Sequence, residues 1–196
     1  MFSRDRYESF SGTTIALHWL LANAIIFMIP FGISLDGQPE STAKTARVSL
    51  HISVGLLVLL VGVLRLGWRM SNGLPQPARD HPLWQRRAAR IVHILLLIAP
   101  IYTPVGGIMF ALGKGYEIGL FGVKLVDASS TPPAGLEPVA HVMHGLGGFI
   151  LALIIVLHVA GALKHQFIDH DGTMRRIFGR SIAGSNASAT KTSAGN

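Results

Sequence analysis

Residues 139–163 read VAHVMHGLGGFILALIIVLHVAGAL, an apolar stretch without Lys, Arg, Asp or Glu. At about 1.5 Å per residue, a helix of this length crosses the ~30 Å hydrocarbon core of a bilayer. The stretch carries His144 and His158, and ionisable groups inside a membrane helix are costly and usually functional. Fourteen residues separate the two histidines, which is ~21 Å of helix axis and almost four full turns. Both imidazoles therefore face nearly the same side of the helix at two depths.

Three earlier stretches, residues 15–35, 48–68 and 91–111, are also long and apolar, and only Arg65 interrupts the second one. The chain has 196 residues, a mean hydropathy of +0.45 and 14% charged residues, whereas soluble domains carry about 25%. The sequence predicts an all-α membrane protein, a four-helix transmembrane up-and-down bundle over residues 1–180. Residues 181–196 are small and polar and predict a disordered tail. We expect the first stretch to be a retained helix, because no A-x-A cleavage site follows it.

The net charge of +7 does not indicate nucleic acid, because the basic residues flank apolar segments, where anionic lipid attracts them. They concentrate before the third stretch and after the fourth: Arg65, Arg69, Arg79, Arg86, Arg87, Arg90, Lys164, Arg175, Arg176 and Arg180. The loops 36–47 and 112–138 balance their cations with acidic residues. The positive-inside rule then predicts both termini in the cytoplasm. Residues 80–90 are expected in the headgroup zone before the third helix, and Pro30, Pro100 and Pro104 should bend their helices.

Two more histidines, His18 and His51, lie at the starts of the first and second stretches. Because successive helices alternate in direction, His51 and His144 should meet at outer depth, and His18 and His158 at inner depth. The absence of Cys excludes thiolate zinc, iron–sulfur clusters and covalently attached haem. Zinc would need about four ligands at one depth. Two pairs at two depths instead favour two non-covalent b-type haems, each with two axial histidines.

Other polar residues leave alternatives open. His141 competes with His144 for the outer site but lies about a quarter-turn off the shared face. Arg65, fourteen residues after His51, could pair with an inner haem propionate or snorkel to the membrane edge. His93, at the start of the third stretch, could donate to a propionate, border a quinone with Trp19, or sit at the interface. The remaining histidines are predicted as surface residues: His81, His165 and His170.

Several segments resemble the bacterial cytochrome b561 family: Tyr7 with Ala16-Leu17-His18-Trp19, His51-Ile-Ser-Val-Gly55, Arg65 with Trp68-Arg69, His93 before a Pro100-containing helix, His144, Leu157-His158, Ala162-Leu163-Lys164-His165 and Asp171-Gly172-Thr173-Met174-Arg175-Arg176. The resemblance covers residues 4–180. It implies a bundle in the bacterial inner membrane holding two b-type haems on His18, His51, His144 and His158. It also implies electron transfer between the periplasm and the quinone pool. Some members resemble superoxide oxidases, which take an electron from superoxide and give it to ubiquinone.

For superoxide oxidation, an outer cationic patch should attract the anion. The outer loops offer Lys44, Arg47, Lys114 and Lys124 but also hold five acidic residues. Lys114, between two glycines just after the third stretch, is our candidate for this role. The alternative function is a cytochrome b relay or anchor subunit for a periplasmic dehydrogenase or hydrogenase-like complex, with a periplasmic electron-transfer protein as its partner.

Overall fold

The computed structural model describes residue 5, residues 9–75 and residues 81–182. Its first three long helices are α1 (Gly12–Leu35), α2 (Thr42–Asn72) and α3 (Leu83–Gly113). A hairpin follows, with strands β1 (Ile118–Leu120) and β2 (Val123–Val126). The fourth span is one long helix in three parts: α4 (Leu136–His141), a π turn (Val142–Leu146) and α5 (Gly147–Lys164). A second π turn (His165–Asp169) and the short α6 (Thr173–Ile177) end the described chain.

The prediction of a four-helix transmembrane bundle is confirmed. Four helices of the described chain are long and apolar enough to cross a membrane: Gly12–Leu35, Thr42–Asn72, Leu83–Gly113 and Leu136–Asp169. Each neighbouring pair is in contact, α1 with α2, α2 with α3, and α3 with the fourth span. A small core of Leu21, Ile25, Val58 and Leu151 joins α1, α2 and α5. Many other large apolar side chains point outwards, as expected where the surroundings are lipid rather than water.

Gly62 of α2 packs closely against Pro100 of α3. A Cβ on Gly62 would lie only 3.1 Å from both Cβ and the carbonyl oxygen of Pro100. Pro104 has no N–H, so the Pro100 carbonyl lacks its normal helical donor four residues later. The bare backbone of Gly62 allows α2 to pack directly over this weakened turn.

The start of α1 is tied to the end of α2 by a polar cluster around Asp5. The Asp5 carboxylate accepts hydrogen bonds from the Ser11 backbone, the Thr14 hydroxyl and the Arg69 guanidinium, and Trp68 Nε1–H donates to Thr14 Oγ1 at 2.9 Å. Burial alone would raise the pKa of Asp5, but these hydrogen bonds outweigh it and hold the pKa below its ordinary value. The cluster therefore favours an ionised carboxylate in the folded protein.

The structure corrects the expectation for residues 80–90. Residues 83–90 do not form a separate segment before the third helix; they are the first two turns of α3, which begins eight residues before the predicted 91. Trp84 and the arginines that follow it do not stop a helix, since Arg has high helix propensity and Pro82 lies just outside the first turn. Arg79 and Asp80 lie outside the described residues, as do Tyr7 and residues 183–196 of the predicted tail.

The hairpin after α3 was not predicted. Its strands are joined by Phe121 and Gly122, both with positive φ, as a two-residue hairpin turn requires. The buried Ser53 of α2 holds this turn, because its hydroxyl accepts the Phe121 N–H at 2.9 Å and lies 3.1 Å from the Gly119 carbonyl oxygen. The hairpin thus packs on α2 only two residues from His51.

Candidate functional site

His51 of α2 and His144 of the first π turn face each other, and we call them the outer pair after the predicted orientation. Their ring centroids lie 6.0 Å apart with an interplanar angle of 86°. The π turn places one extra residue in the helical turn around His144, a distortion that recurs at functional sites. His141, the competing histidine, is exposed and its ring lies 5.5 Å from that of Phe110 instead.

Both outer imidazoles rest against the backbone of a neighbouring helix. A Cβ on Gly32 of α1 would lie 2.9 Å from Cε1 of His51, and a Cβ on Gly107 of α3 would lie 2.9 Å from Cε1 of His144. His144 Nδ1 also lies 2.9 Å from the Thr103 carbonyl oxygen, to which it donates. That bond fixes the tautomer, so Nε2 keeps a lone pair for a metal.

A second group, the inner cluster, consists of His18 of α1, His93 of α3 and His158 of α5. The ring centroids of His18 and His158 are 6.3 Å apart, and those of His93 and His158 are 5.5 Å apart. The expectation that His93 lies at the start of its helix is wrong. Because α3 begins at Leu83, His93 is nearly three turns inside and reaches the depth of His158.

Arg65 and Trp19 complete the surroundings of the inner cluster. Arg65 of α2 is close enough to His18 and His158 for its positive charge to act on both, and none of the described carboxylates lies within ion-pair distance of it. The Trp19 ring packs edge-on to His18, with centroids 5.2 Å apart, and its Nε1–H donates to the Ile177 carbonyl oxygen of α6. All four spans therefore contribute to the inner cluster, and α6 packs beneath it.

The outer cations are mostly neutralised by carboxylates. Lys114 Nζ lies 2.6 Å from Glu137 Oε1, a hydrogen bond that raises the pKa of Lys114. Lys44 pairs with Glu40, and Lys124 pairs with two carboxylates of the hairpin region. Lys114 is thus held in a pair beside α4 and its charge is largely offset.

Arg47 differs from the other outer cations, because no carboxylate of the described residues pairs with it. Its guanidinium lies 5.8 Å from the centre of the Phe31 ring, which in turn lies 5.8 Å from the ring of His51. Arg47 and His51 are also four residues apart on α2 and so share one face. The four-residue spacing is visible in the sequence, whereas the ion pair that offsets the charge of the predicted candidate, Lys114, is visible only in the structure.

Two of the three histidines predicted as surface residues are not simple surface groups. His81 and His165 are part-buried and their rings lie 4.9 Å apart, close to two aspartates. The separation of 84 residues along the chain hid this contact from sequence reasoning. His170 is exposed, as predicted for a surface residue.

Three observations fit a haem at the outer pair, and the first of them also fits a haem between His18 and His158. A transition metal lies ~2 Å from a histidine nitrogen, so two imidazoles on opposite sides of one metal have centroids about 6 Å apart. The His51–His144 and His18–His158 separations both match this value. The buried Nδ1 of His51 has no hydrogen-bond partner among the described residues, and a Cβ on Gly55 or Gly148, each four residues after a histidine of the outer pair, would meet nothing within 4 Å. The backbone at these two glycines is therefore open to the approach of a flat ring.

A four-helix transmembrane bundle with imidazoles facing each other across its interior is typical of membrane-bound b-type cytochromes. The family model for prokaryotic cytochrome b561 matches residues 9–180. The chain therefore belongs to the prokaryotic cytochrome b561 family, which implies b-type haem, electron transfer and residence in a bacterial membrane.

Three relatives match nearly the whole chain. Cytochrome b561 homolog 2 of Escherichia coli is 28% identical over 180 residues, which cover 89% of this chain and 93% of that protein. Cytochrome b561 homolog 1 of the same organism is 29% identical over 87% of this chain and 97% of its own length. A protein of Yersinia pestis named "Probable superoxide oxidase CybB" is 22% identical over 87% of this chain and 96% of that protein.

Proposed function

We propose that this protein holds two b-type haems and carries electrons between the periplasmic side of the bacterial inner membrane and the quinone pool. The outer haem is held by His51 and His144, and the inner haem by His18 and His158. The observation that carries this proposal is the presence of two imidazole pairs, at opposite ends of the bundle, with the spacing that a shared metal requires. The haems supply one-electron chemistry, and the protein sets their positions and surroundings.

The neighbouring residues have separate roles in this proposal. The Thr103 carbonyl orients the His144 imidazole by a hydrogen bond, and Gly32 and Gly107 orient the His51 and His144 rings that pack against them. Arg65, a cation without a carboxylate partner among the described residues, is placed to bind an inner haem propionate. His93 lies beside His158 and is placed to donate to a second propionate or to a quinone oxygen.

We further propose superoxide as the electron donor and ubiquinone as the acceptor. Two superoxide anions each lose one electron and leave as O₂, and the two electrons with two protons convert ubiquinone to ubiquinol. Arg47 supports an anionic donor, because an uncompensated cation next to the outer pair raises the local concentration of small anions. The name of the Yersinia pestis relative points in the same direction. Lys114 is a second cation on this side, and its attraction for anions is weaker because Glu137 offsets its charge.

The proposed orientation places both termini in the cytoplasm. It rests on the positive-inside rule, because the cations at the end of α2, at the start of α3 and from the end of α5 onwards outnumber those in the two other loops. The outer pair, Arg47 and the hairpin then face the periplasm. The inner cluster and α6 face the cytoplasm.

The test begins with haem quantified per chain and a reduced-minus-oxidised spectrum of the purified protein. We expect two haems with low-spin b-type bands. The loaded protein is then mixed with superoxide and a short-chain ubiquinone, and superoxide decay and ubiquinol formation are followed together. We expect two superoxide anions consumed per ubiquinol formed.

The His144→Ala variant is the control for this assay, since it should keep the inner haem but lose superoxide-driven ubiquinol formation. The absence of quinone-dependent superoxide loss in the haem-loaded wild-type protein, above the rate of spontaneous dismutation, would refute the donor and acceptor assignment. A stable periplasmic protein that copurifies and reduces the haems would instead support the relay function. A protein that inserts correctly but binds no haem would refute the proposal as a whole.

A further inference from the structure

A separate cluster of four metal-ligating side chains lies at the cytoplasmic side of the bundle, outside the two haem sites. His81 precedes α3, His165 and Asp169 belong to the second π turn, and Asp171 follows that turn. One nitrogen or oxygen from each of the four lies within 4.8 Å of those from the other three. The side chains are largely shielded, with exposed fractions from 0% for Asp171 to 25% for His165. We call these four residues the His–Asp cluster.

The contacts of His165 are difficult to explain by hydrogen bonding alone. Its Nδ1 lies 2.7 Å from Asp171 Oδ2 and 3.1 Å from Asp169 Oδ2, yet it makes no hydrogen bond of acceptable geometry with a described residue. A ring nitrogen carries at most one proton, so it cannot serve two carboxylates. His81 Nε2 approaches the same Asp171 oxygen at 3.0 Å. Two imidazoles and two carboxylates therefore converge on one small volume.

The local backbone explains why this convergence occurs. His165 and Asp169 are four residues apart, and the wide π turn brings both side chains to one side of the helix end. Gly172 has a φ of +78°, and with His170 at +49° it turns the chain back so that Asp171 points at the same spot. The Thr173 backbone N–H donates to Asp171 Oδ1 at 2.9 Å, which orients the carboxylate and leaves Oδ2 towards the histidines.

We propose that His81, His165, Asp169 and Asp171 form a binding site for a divalent transition-metal ion, with Zn²⁺ as the best match. Zn²⁺ prefers four ligands, and nitrogen from histidine and oxygen from aspartate are among its usual donors. Ca²⁺ and Mg²⁺ prefer oxygen ligands only, and Cu⁺ prefers sulfur. The bound ion would join the segment before α3 to the segment after α5, and so lock two of the four spans together at this side.

Lys164 provides an internal competitor for the metal. Its Nζ lies 2.6 Å from Asp169 Oδ2 and 2.8 Å from Oδ1. In the absence of metal this ammonium balances one of the two carboxylates. Removing the Lys164 charge should therefore tighten metal binding, whereas a purely structural ion-pair network would gain nothing from that change.

The experiment uses the haem-loaded, tag-free protein, stripped with chelator and titrated with ZnCl₂ by calorimetry and by metal analysis after dialysis. We expect one Zn²⁺ per chain with micromolar or tighter affinity. Asp171→Asn and His81→Ala should each weaken binding by at least about tenfold, and Lys164→Gln should strengthen it. His170→Asn is the matched control, since it removes an exposed imidazole next to the cluster and Asn tolerates the positive φ there.

The haem spectrum of each variant reports whether the bundle is still folded, so a loss of zinc binding is not confused with unfolding. X-ray absorption of the zinc-loaded protein should show nitrogen and oxygen ligands only, with imidazole scattering. A wild-type protein that binds no zinc in a saturable manner overturns the proposal. Equal losses in Asp171→Asn and His170→Asn, or weaker binding in Lys164→Gln, overturn it as well.

Discussion

Substituting Gly107 by Ala tests whether the close contact between Gly107 and the His144 ring is needed for haem binding at the outer site. A Cβ at this position would lie 2.9 Å from His144 Cε1 and 3.0 Å from Nδ1, while ordinary contacts begin at 3.4 Å. The ring must therefore move by about 0.5 Å or the helices must separate. Separation would give up the close backbone packing one residue earlier, where a Cβ on Gly106 would lie only 3.2 Å from the His144 backbone nitrogen. The ring is the part that yields, and its hydrogen bond to Thr103 is strained with it.

The expected magnitude follows from the cost of overpacking a close contact, which is about 1–3 kcal/mol. Because a tenfold change in affinity corresponds to ~1.4 kcal/mol, the outer site should hold its haem about 5- to 150-fold more weakly. The fold itself should suffer less, since Ala within a helix is ~1 kcal/mol more favourable than Gly. Gly107→Ala should thus separate haem loss from unfolding.

The assay is haem content per chain together with a redox titration of the Gly107→Ala protein. We expect the outer haem to be depleted or shifted in potential while the inner haem is unchanged. Gly67→Ala is the control, because a Cβ at that position of α2 would meet nothing within 4 Å. If Gly107→Ala keeps two haems with unaltered spectra and potentials, the contact between Gly107 and the His144 ring does not control the outer haem site.

Three further predictions concern the histidines, the outer cations and the N-terminal cluster. His144→Ala should remove the outer haem and leave the inner one, and His18→Ala should do the reverse; retention of both haems in either variant, measured as haem per chain, contradicts the pairing. Arg47→Gln should slow superoxide oxidation severalfold at low salt and flatten its salt dependence, as stopped-flow decay would show. Lys114→Gln should have the smaller effect because Glu137 already offsets its charge, and equal effects would remove the special role of Arg47. The folded-state pKa of Asp5 is lowered, so its stabilisation is present above the unfolded value of ~3.9 and is lost as the pH falls through the folded pKa. The melting temperature of the wild-type protein should therefore fall more steeply below about pH 4 than that of Asp5→Asn, and parallel curves would contradict the assignment.

The number of spans and the depths of His18, His51, His144 and His158 could be predicted from the sequence. Hydropathy is a property of consecutive residues, and the rise of a helix is constant, so residue number translates directly into depth. The prediction that His51 pairs with His144 and His18 with His158 came from depth, and the structure brings these rings together, but it also brings His93 to the depth of His158. Helix ends are less predictable, because polar and aromatic residues such as Trp84 can continue a helix beyond its apolar part. The misplaced start of α3 is what concealed the position of His93.

The tertiary structure alone decided what surrounds each imidazole. The rotation of each helix about its own axis determines four features of the structure. They are the contacts of Gly32 and Gly107 with the outer imidazoles, the position of the Thr103 carbonyl, the exposure of Arg47 next to His51, and the His–Asp cluster. Helices that are apolar on every side carry no pattern that marks the inward face, so this rotation cannot be read from them. The π turns change the rotation again at His144 and at His165, where a regular helix would have been assumed. The order of residues therefore determines how deep each side chain lies in the membrane. The direction in which each side chain points is determined only when the four spans pack.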